Sequence, residues 1–308
     1  MTEQNNLNPL QLLNRYRLES FHAHCSLIDQ LFLKTGLESA ASRLACPEEN
    51  QSWVALMVDD RPTQLARICA LNTLLMTRFQ AEIRILTAPG KVQAFQELMA
   101  PWLQWIKIGS IEACETLDTL GWGGYNKLFK DPKFWRSLAG KQILVFQSDS
   151  LLIEPLELEE LKYDYVGAPW NKGRITSSEF PTYTSTGKWN GSEWINQALC
   201  QTTPDHNNGN GGLSIRSARL MEKICADHAA ESPEEEAEDI FFARHIHAGE
   251  YSGNLPSQRV LRQIFNETTY SDSHGFHGSW FYLDGAEQAK LYEKHVKHII
   301  GLLTARSR

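Results

Sequence analysis

Four short stretches of the sequence carry side chains whose types and spacing could do chemistry, and the first is Gln-Ser-Asp-Ser at 147–150. It follows the apolar run 143–146, so Asp149 is expected at the end of a buried strand. A carboxylate there can hold a divalent cation on a diphosphate, because Mg²⁺ and Mn²⁺ prefer oxygen ligands and use few protein carboxylates when phosphate oxygens complete the shell. An aspartate after a strand is also a common turn residue, so this stretch alone leaves both interpretations open.

The second stretch is glycine-rich and reads Gly-Asn-Gly-Gly-Leu-Ser-Ile-Arg over 209–216. Three glycines among its first four residues allow the backbone to approach a ligand closely. The pattern predicts that the stretch runs into a helix over 213–229, whose N-terminus would favour an anion. It has the spacing of neither the dinucleotide-binding nor the P-loop fingerprint, and a plain glycine turn is the alternative.

The third stretch is an acidic pair, Glu238-Asp239, followed by three apolar residues. A helix is predicted over 234–248, with a start signal in Ser-Pro at 232–233 and Glu235. One carboxylate of the pair would then lie near a buried face, where it could act as a general base if its pKa and reach suit the task. A solvated acidic face that continues the glutamate run 234–236 is the alternative.

The fourth stretch places His274 and His277 in a glycine-rich loop. Imidazole can bind Mn²⁺, and binds Zn²⁺ better. His245 and His247 form a rival pair, but side chains two residues apart on a helix point away from each other. A polar surface role is the alternative for a loop histidine.

The elements that must position these residues alternate between strand and helix. Strands are predicted at 53–58, 83–86, 105–108 and 142–146, and helices are predicted at 63–79 and 91–100. Such alternation predicts an α/β fold with a mostly parallel central sheet and helices on both faces. Ligands of such sheets bind beyond the carboxyl ends of the strands, where Asp59, Asp60 and Asp149 would meet.

Helices are also predicted at both ends of the chain. At the N-terminus, Asn8, Pro9 and Gln11 form a helix-start signal. Apolar residues then repeat at helical spacing at Leu27, Ile28, Leu31 and Phe32. We expect a helical extension over 1–50, a main domain over 51–284 and a C-terminal helix within 285–308.

Composition excludes several classes of protein. The net charge is −7, with no run of Lys and Arg, so a nucleic-acid binder is not expected. The polar N-terminus lacks a signal-peptide pattern, and no apolar stretch approaches the roughly 20 residues of a membrane span. The six cysteines are scattered without a Cys-x-x-Cys pair, which favours free thiols and a cytoplasmic location. The irregular stretch 171–211, rich in Asn and Gly, is expected to order around a substrate.

The order of the motifs, with a strand-end acid, a glycine-rich segment, an acidic pair and a late histidine, resembles the GT-A fold glycosyltransferases. More narrowly, the chain looks like a bacterial and fungal family of unassigned function within that group. The motifs that carry this resemblance are DDRP (59–62), YNKLFKDPKFW (125–135), ILVFQSDS (143–150), YDYVGAPW (163–170), GNGGLSIRS (209–217), EDIFF (238–242) and HGFHGSW (274–280). They span roughly residues 53 to 283.

The resemblance implies a GT-A-like fold and the transfer of a sugar from a UDP- or GDP-sugar to the hydroxyl of an unnamed acceptor, with inversion. It assigns Asp239 as the base with Glu238 beside it, and it assigns Asp149 and His277, with His274 second, to Mn²⁺ or Mg²⁺. The implied donor-binding residues are Asp60, Arg61, Tyr125, Asn126, Lys127, Gln147, Ser148, Asp149, Gly211 and Gly212. Asp164, Trp170 and Asn210 would line the sugar or acceptor side. Gln147 stands where the related enzymes have an acid.

Three alternatives remain open at the level of sequence. The neutral Gln147 permits a catalytically inactive glycan- or nucleotide-binding module on the same fold. A nucleotidyltransferase would usually need a glycine-rich basic loop after the first strand, and the DDRP stretch supplies no glycine. A zinc hydrolase could use the four histidines 245, 247, 274 and 277.

Overall fold

The computed structural model describes residues 8–44, 53–111, 121–138, 140–158, 161–169, 208–232, 236–247 and 251–304. Trp170 and residues 171–207 lie outside the described residues. The helices are α1 (Pro9–Ile28), α2 (Lys34–Leu44), α3 (Gln64–Met76), α4 (Val92–Leu98), α5 (Gly121–Phe129), α6 (Pro132–Ser137), α7 (Ala218–His228), α8 (Glu238–His247), α9 (Gln258–Ile264), α10 (Ser279–Tyr282) and α11 (Gly285–Thr304). The strands are β1 (Trp53–Val58), β2 (Ala81–Thr87), β3 (Ile106–Ser110), β4 (Gln142–Phe146), β5 (Ser150–Leu152), β6 (Tyr165–Pro169), β7 (Asn208–Ser217), β8 (Phe265–Asn266) and β9 (Gly275–His277). Within the described residues, no helix is both long enough and apolar enough to cross a bilayer.

A six-stranded sheet in the order β3-β2-β1-β4-β7-β6 forms the centre of the molecule. The first four strands of that order are parallel, whereas β7 runs antiparallel to both β4 and β6. Each of these four parallel strands lies at a position where the sequence predicts a strand. The predicted fold class, α/β with a mostly parallel central sheet covered by helices, is confirmed.

Two hydrophobic cores cover the two faces of this sheet. In β1, Trp53, Ala55 and Met57 enter one core, and the alternate residues Val54 and Leu56 enter the other. All six residues of the strand are buried because side chains of a strand alternate between faces and both faces are covered. The first core packs against α1, α2, α3 and α11, and the second packs against α5, α6, α7 and α8.

The glycine-rich stretch forms a strand, and the prediction of a helix over 213–229 was wrong in its first part. Residues 208–217 are β7, and the helix begins only at Ala218, after the capping residue Ser217. Leu213 and Ile215 are buried in the first core, and Arg216 is buried on the opposite face. This alternation suits a strand between β4 and β6, so pairing in the sheet overrides any helical preference. The helix predicted over 234–248 is observed as α8, from Glu238 to His247.

The N-terminal helix starts as predicted but buries a different face. The side chain of Asn8 accepts from the Gln11 amide, and the Gln11 side chain accepts from the Asn8 amide, each at 2.9 Å. Leu27 and Leu31, which the spacing assigns to a helix face with Ile28 and Phe32, are 54% and 61% exposed. The buried face is instead formed by Phe21, Cys25 and Ile28. A π-helical turn at 29–33 changes the register and turns Leu33 into the core.

A small second sheet, in the order β5-β9-β8, joins the loop at 147–150 (the motif loop) to the segment 274–277 (the late histidine loop). β5 directly follows Asp149, and its Ser150 lies opposite His277 in antiparallel pairing with β9. Two buried hydrogen bonds of 2.9 and 3.1 Å join the Asn72 side-chain amide to the backbone of Leu152. This pairing brings two stretches of chain that are far apart in sequence to one edge of the central sheet.

Candidate functional site

A cleft of about 460 Å³ lies beyond the carboxyl ends of β1 and β4. The predicted site residues that line it are Asp60, Arg61, Tyr125, Asn126, Gln147, Asn210, Gly212, Glu238, Asp239 and His277. Asp59, Val58 and Ala237 complete the lining. The cleft therefore collects side chains from the strand-end acids, the motif loop, the glycine-rich strand, the acidic helix and the late histidine loop.

His277 lies at the centre of the polar contacts on one side of the cleft. Its Nε2 is 3.1 Å from the side-chain oxygen of Gln147 and 3.4 Å from Oδ1 of Asp149. Burial alone would lower the pKa of His277, but Asp149 and Glu267 outweigh it and raise that pKa well above the usual value. Burial would likewise raise the pKa of Asp149, but the charge of His277 and that of Arg61 lower it.

The donor atoms of this group fit a hard divalent cation. The Asp149 carboxylate and the Gln147 amide oxygen both approach His277 Nε2 within the distances given above, so the three groups can share one ion once that nitrogen has released its proton. Such an ion takes only one or two carboxylates when substrate phosphates and water supply the remaining oxygen ligands. No group of three or more His, Cys, Asp or Glu side chains suited to hold a metal occurs in the part of the chain that the structure describes. The protein ligands alone therefore leave much of the coordination shell to a substrate.

The glycines of β7 are required by the close approach of side chains rather than by a turn. A Cβ on Gly212 would lie 2.5 Å from Cε1 of His277, with Nε2 and Cδ2 of the ring closer still. A Cβ on Gly211 would lie 2.5 Å from Oε1 of Glu238 and 2.9 Å from Cβ of Asp239. These two positions thus let the imidazole and the acidic helix approach the strand from both faces.

Asp239 is the acid of the pair that is available to a ligand. Its two oxygens accept from the backbone amides of Gly211 at 3.2 Å and Ile240 at 2.8 Å. Burial and the neighbouring Glu238 raise the pKa of Asp239 to about 7, although the Gly211 amide and Arg216 act in the opposite direction. A carboxyl with a pKa near neutrality is suited to accept a proton during a reaction.

Glu238 is fully engaged by a buried arginine. Arg216 Nη1 donates to Oε2 of Glu238 at 2.5 Å and Nη2 donates to Oε1 at 3.0 Å, and Arg216 is completely buried. Four aromatic rings surround its guanidinium at 5.1 to 5.9 Å from the centroids, those of Phe129, Trp135, Tyr165 and Phe242. The pair ties the start of α8 to β7 and so holds Asp239 beside Gly211. No role was predicted for Arg216, although strand alternation from Leu213 would have placed it opposite the apolar face.

Helix α5 supports the same acidic segment from the other side. Asn126 is buried and its side-chain oxygen accepts from the Glu238 amide at 3.1 Å. Its Nδ2 has no hydrogen-bond acceptor among the described residues, and Asn126 lines the cleft. The Lys130 ammonium donates to the carbonyl oxygen of Glu236 at 3.0 Å. Lys127, which was predicted to bind a donor, is exposed and does not line the cleft.

The loop after β1 presents a guanidinium to the motif loop. The buried Asp59 accepts from Nε and Nη2 of Arg61 at 2.9 and 3.0 Å. Arg61 Nη2 also donates to the Ser148 hydroxyl at 3.3 Å, and this hydrogen bond joins the loops that follow β1 and β4. Asp59 therefore fixes the orientation of the Arg61 guanidinium, which remains largely exposed at the mouth of the cleft.

The structure does not bring Asp164 or His274 to this cleft. Asp164 precedes β6, which runs parallel to β4, so it lies at the opposite edge of the sheet and accepts from the Asn254 amide at 2.7 Å. His274 Nδ1 lies 2.9 Å from the Pro155 carbonyl oxygen. His245 stacks on His228 with ring centroids 3.8 Å apart. These positions do not support a site built from several histidines.

Comparison with known proteins identifies a family and finds distant structural likenesses. Residues 115–277, more than half of the chain, match the family described as "Protein of unknown function (DUF5672)". No curated protein sequence matches the chain. The solved mannosyltransferase PcManGT from Pyrobaculum calidifontis, in complex with GDP-Man and Mn²⁺, is 10% identical, with a TM-score of 0.38 over 78% of this chain and 64% of its own. The PaToxG glycosyltransferase is 9% identical, with a TM-score of 0.29 over 95% of this chain and 97% of its own. The chain thus spans less than two thirds of the mannosyltransferase, and TM-scores of this size assign no activity.

Proposed function

The chain belongs to the DUF5672 family of proteins of unknown function, so its activity has to be inferred from the site, and we propose that it is a glycosyltransferase. It transfers a sugar from a nucleoside-diphosphate sugar, a UDP- or GDP-sugar, to an acceptor hydroxyl. One observation carries the proposal: a single cleft is lined by His277, which contacts Asp149 at 3.4 Å and with it suits a cation on a diphosphate, and by Asp239, a carboxylate whose pKa is near neutrality.

The donor diphosphate is held on the side of the cleft formed by the motif loop. Asp149 and His277, with the Gln147 amide oxygen, would hold Mn²⁺ or Mg²⁺, which neutralises the charge on a leaving diphosphate. Arg61, at the mouth of the cleft, supplies a second positive charge near Ser148. Asp60 and Asn210 also line the cleft, and we assign Asp60 to the nucleoside and Asn210 to the sugar.

Asp239 acts as the general base. It accepts the proton of the acceptor hydroxyl while the hydroxyl oxygen forms a bond to the anomeric carbon. The bond between that carbon and the diphosphate oxygen breaks, and the nucleoside diphosphate leaves from the opposite face, so the configuration inverts. The Gly211 amide donates to one oxygen of Asp239 and so holds the carboxylate beside the glycine-rich strand. Nδ2 of Asn126, which has no acceptor within the described ranges of the chain, can donate to a sugar hydroxyl in the same cleft.

The proposal is tested by incubating the protein with a panel of UDP- and GDP-sugars and Mn²⁺, and measuring release of the nucleoside diphosphate. We expect slow donor hydrolysis by the wild type and a decrease of about 10²- to 10⁴-fold in Asp239→Asn, with binding of the nucleoside diphosphate retained. Asp227→Asn is the matched control, because Asp227 is an exposed residue paired with Lys223. Unchanged turnover in Asp239→Asn would refute the base, and NMR evidence that the product keeps the donor configuration would refute inversion.

One observation favours a second candidate, a nucleotide-binding module without catalysis. Gln147 offers a neutral oxygen where the related enzymes carry an acid, so the cation depends more strongly on the diphosphate itself. The same panel separates the two functions. Nucleotide binding without any donor turnover would favour the binding module, whereas turnover that depends on Asp239 supports the enzyme.

A further inference from the structure

Glu267 is a buried carboxylate that directly follows β8 and has no part in the chemistry described so far. It is 6% exposed. Its Oε1 lies 3.2 Å from Nδ1 of His277 and 3.0 Å from Nδ2 of Asn210, so one oxygen accepts from both side chains. These two partners belong to different sheets, because His277 ends β9 and Asn210 lies in β7.

The contacts of Glu267 form part of a closed ring. The side-chain oxygen of Asn210 accepts from the Gly212 amide at 2.9 Å. Gly212, which lacks a Cβ, lies directly against the imidazole of His277. The ring Glu267–His277–Gly212–Asn210 therefore fixes the position of the imidazole relative to the glycine-rich strand. Displacement of any one member would move the ring nitrogen that faces Asp149.

We propose that Glu267 is a positioning residue for the cation and diphosphate subsite. By accepting a hydrogen bond from Nδ1–H, the Glu267 carboxylate keeps that nitrogen protonated, so Nε2 is the nitrogen directed at Asp149 and Gln147. A histidine ligand generally needs such a partner on its second nitrogen, which sets the tautomer and the orientation of the ring. The inference rests on the proposed function, since it names a residue on which the affinity of that site for a cation depends.

The first test compares Glu267→Ala and Glu267→Gln for their affinity for Mn²⁺ in the presence of UDP or GDP, measured from the EPR signal of free Mn²⁺. Loss of such an outer partner typically weakens metal binding by about 10- to 100-fold, which we expect for Glu267→Ala. Glu267→Gln keeps a side-chain oxygen that can accept from His277 and Asn210, so its affinity for Mn²⁺ should be close to that of the wild type. Glu154→Ala is the matched control, because Glu154 lies near His274 rather than His277. Wild-type affinity in Glu267→Ala would overturn the proposal.

A second readout separates this proposal from the proposed function. The ¹⁵N chemical shifts of His277 in the ligand-free protein show which nitrogen carries the proton when they are recorded at a pH above the raised pKa of the ring, where the ring is neutral. We expect a proton on Nδ1 in the wild type and in Glu267→Gln, and a mixture of tautomers in Glu267→Ala. If the wild type binds neither Mn²⁺ nor a nucleotide, the proposed function fails while these shifts still decide the role of Glu267. A proton on Nδ1 in all three proteins would overturn that role even if the site binds both ligands.

Discussion

Replacement of Asp239 by Asn should stabilise the folded protein at neutral and alkaline pH while it impairs the proposed transfer. The pKa of Asp239 is raised from 3.8 to about 7 by burial and by Glu238. The folded state therefore keeps a proton that the unfolded chain releases between these two values. Because the unfolded state binds fewer protons in this window, the wild type loses stability as the pH rises from about 4 to 7. The amide of Asn cannot ionise and avoids this loss.

The size of the expected stability gain follows from the pKa shift of Asp239 and from the hydrogen bonds that its carboxylate accepts. A shift of about three units corresponds to about 4 kcal/mol at ~1.36 kcal/mol per unit, as an upper bound. Asp239 is only half-buried, so solvent screening reduces this figure. An Asn side chain can accept from only one of the two amides that Asp239 binds, which costs about 1 kcal/mol. We expect a net gain of about 1–2 kcal/mol above pH 7, and no gain near pH 4.

The assay is urea unfolding of the wild type and Asp239→Asn at a series of pH values from 4 to 9, with Asp227→Asn as the control. The difference in the free energy of unfolding should grow with pH and level off above the pKa of Asp239. If Asp239→Asn were less stable than the wild type at pH 8, or if the difference did not change with pH, the assignment of a raised pKa to Asp239 would be refuted.

Two further substitutions test the supports of the site. Glu238→Gln leaves the buried Arg216 without its charge partner, so we expect the free energy of unfolding in urea to fall by about 3–5 kcal/mol. This change is opposite in sign to that of Asp239→Asn. Wild-type stability of Glu238→Gln would show that the ion pair does not hold α8. Gly212→Ala places a methyl group against the imidazole of His277, so Mn²⁺ affinity with bound nucleotide should fall at least about tenfold by EPR. The control is Gly123→Ala, where a Cβ meets nothing within 4 Å, and equal affinity of the two variants would contradict the steric argument.

The alternation of apolar runs and helical patterns predicts the parallel part of the sheet because each strand is short, continuous and bounded by polar loops. The position of Asp149 at a strand end follows from the same pattern. The strand at 208–217 was missed because its glycines indicate a turn, whereas they are required by the side chains of His277 and Glu238 packed against it. Such contacts come from residues distant in the chain, and no local pattern reveals them.

The partners of the site residues were harder to predict than the residues themselves. Glu267 stands in a polar segment without a motif, and its importance arises only from the pairing that places β8 and β9 beside β7. Asp164 was assigned to the sugar side because it lies in a motif with Trp170. The direction of β6 places it at the opposite edge of the sheet, and the direction of a strand is not encoded in the motif.

The central claim, that the cleft binds a nucleoside diphosphate with a divalent cation on Asp149, is tested most directly by thermal unfolding. The wild type and Asp149→Asn are each heated with UDP or GDP, with and without Mn²⁺. A ligand at 100 times its Kd stabilises the folded state by about 2.7 kcal/mol, which is a shift of roughly 4 °C in the unfolding temperature for a chain of this size. We predict this shift in the wild type with one nucleotide and Mn²⁺ together, and its loss in Asp149→Asn. No shift with either nucleotide, or an equal shift in both proteins, would contradict the claim.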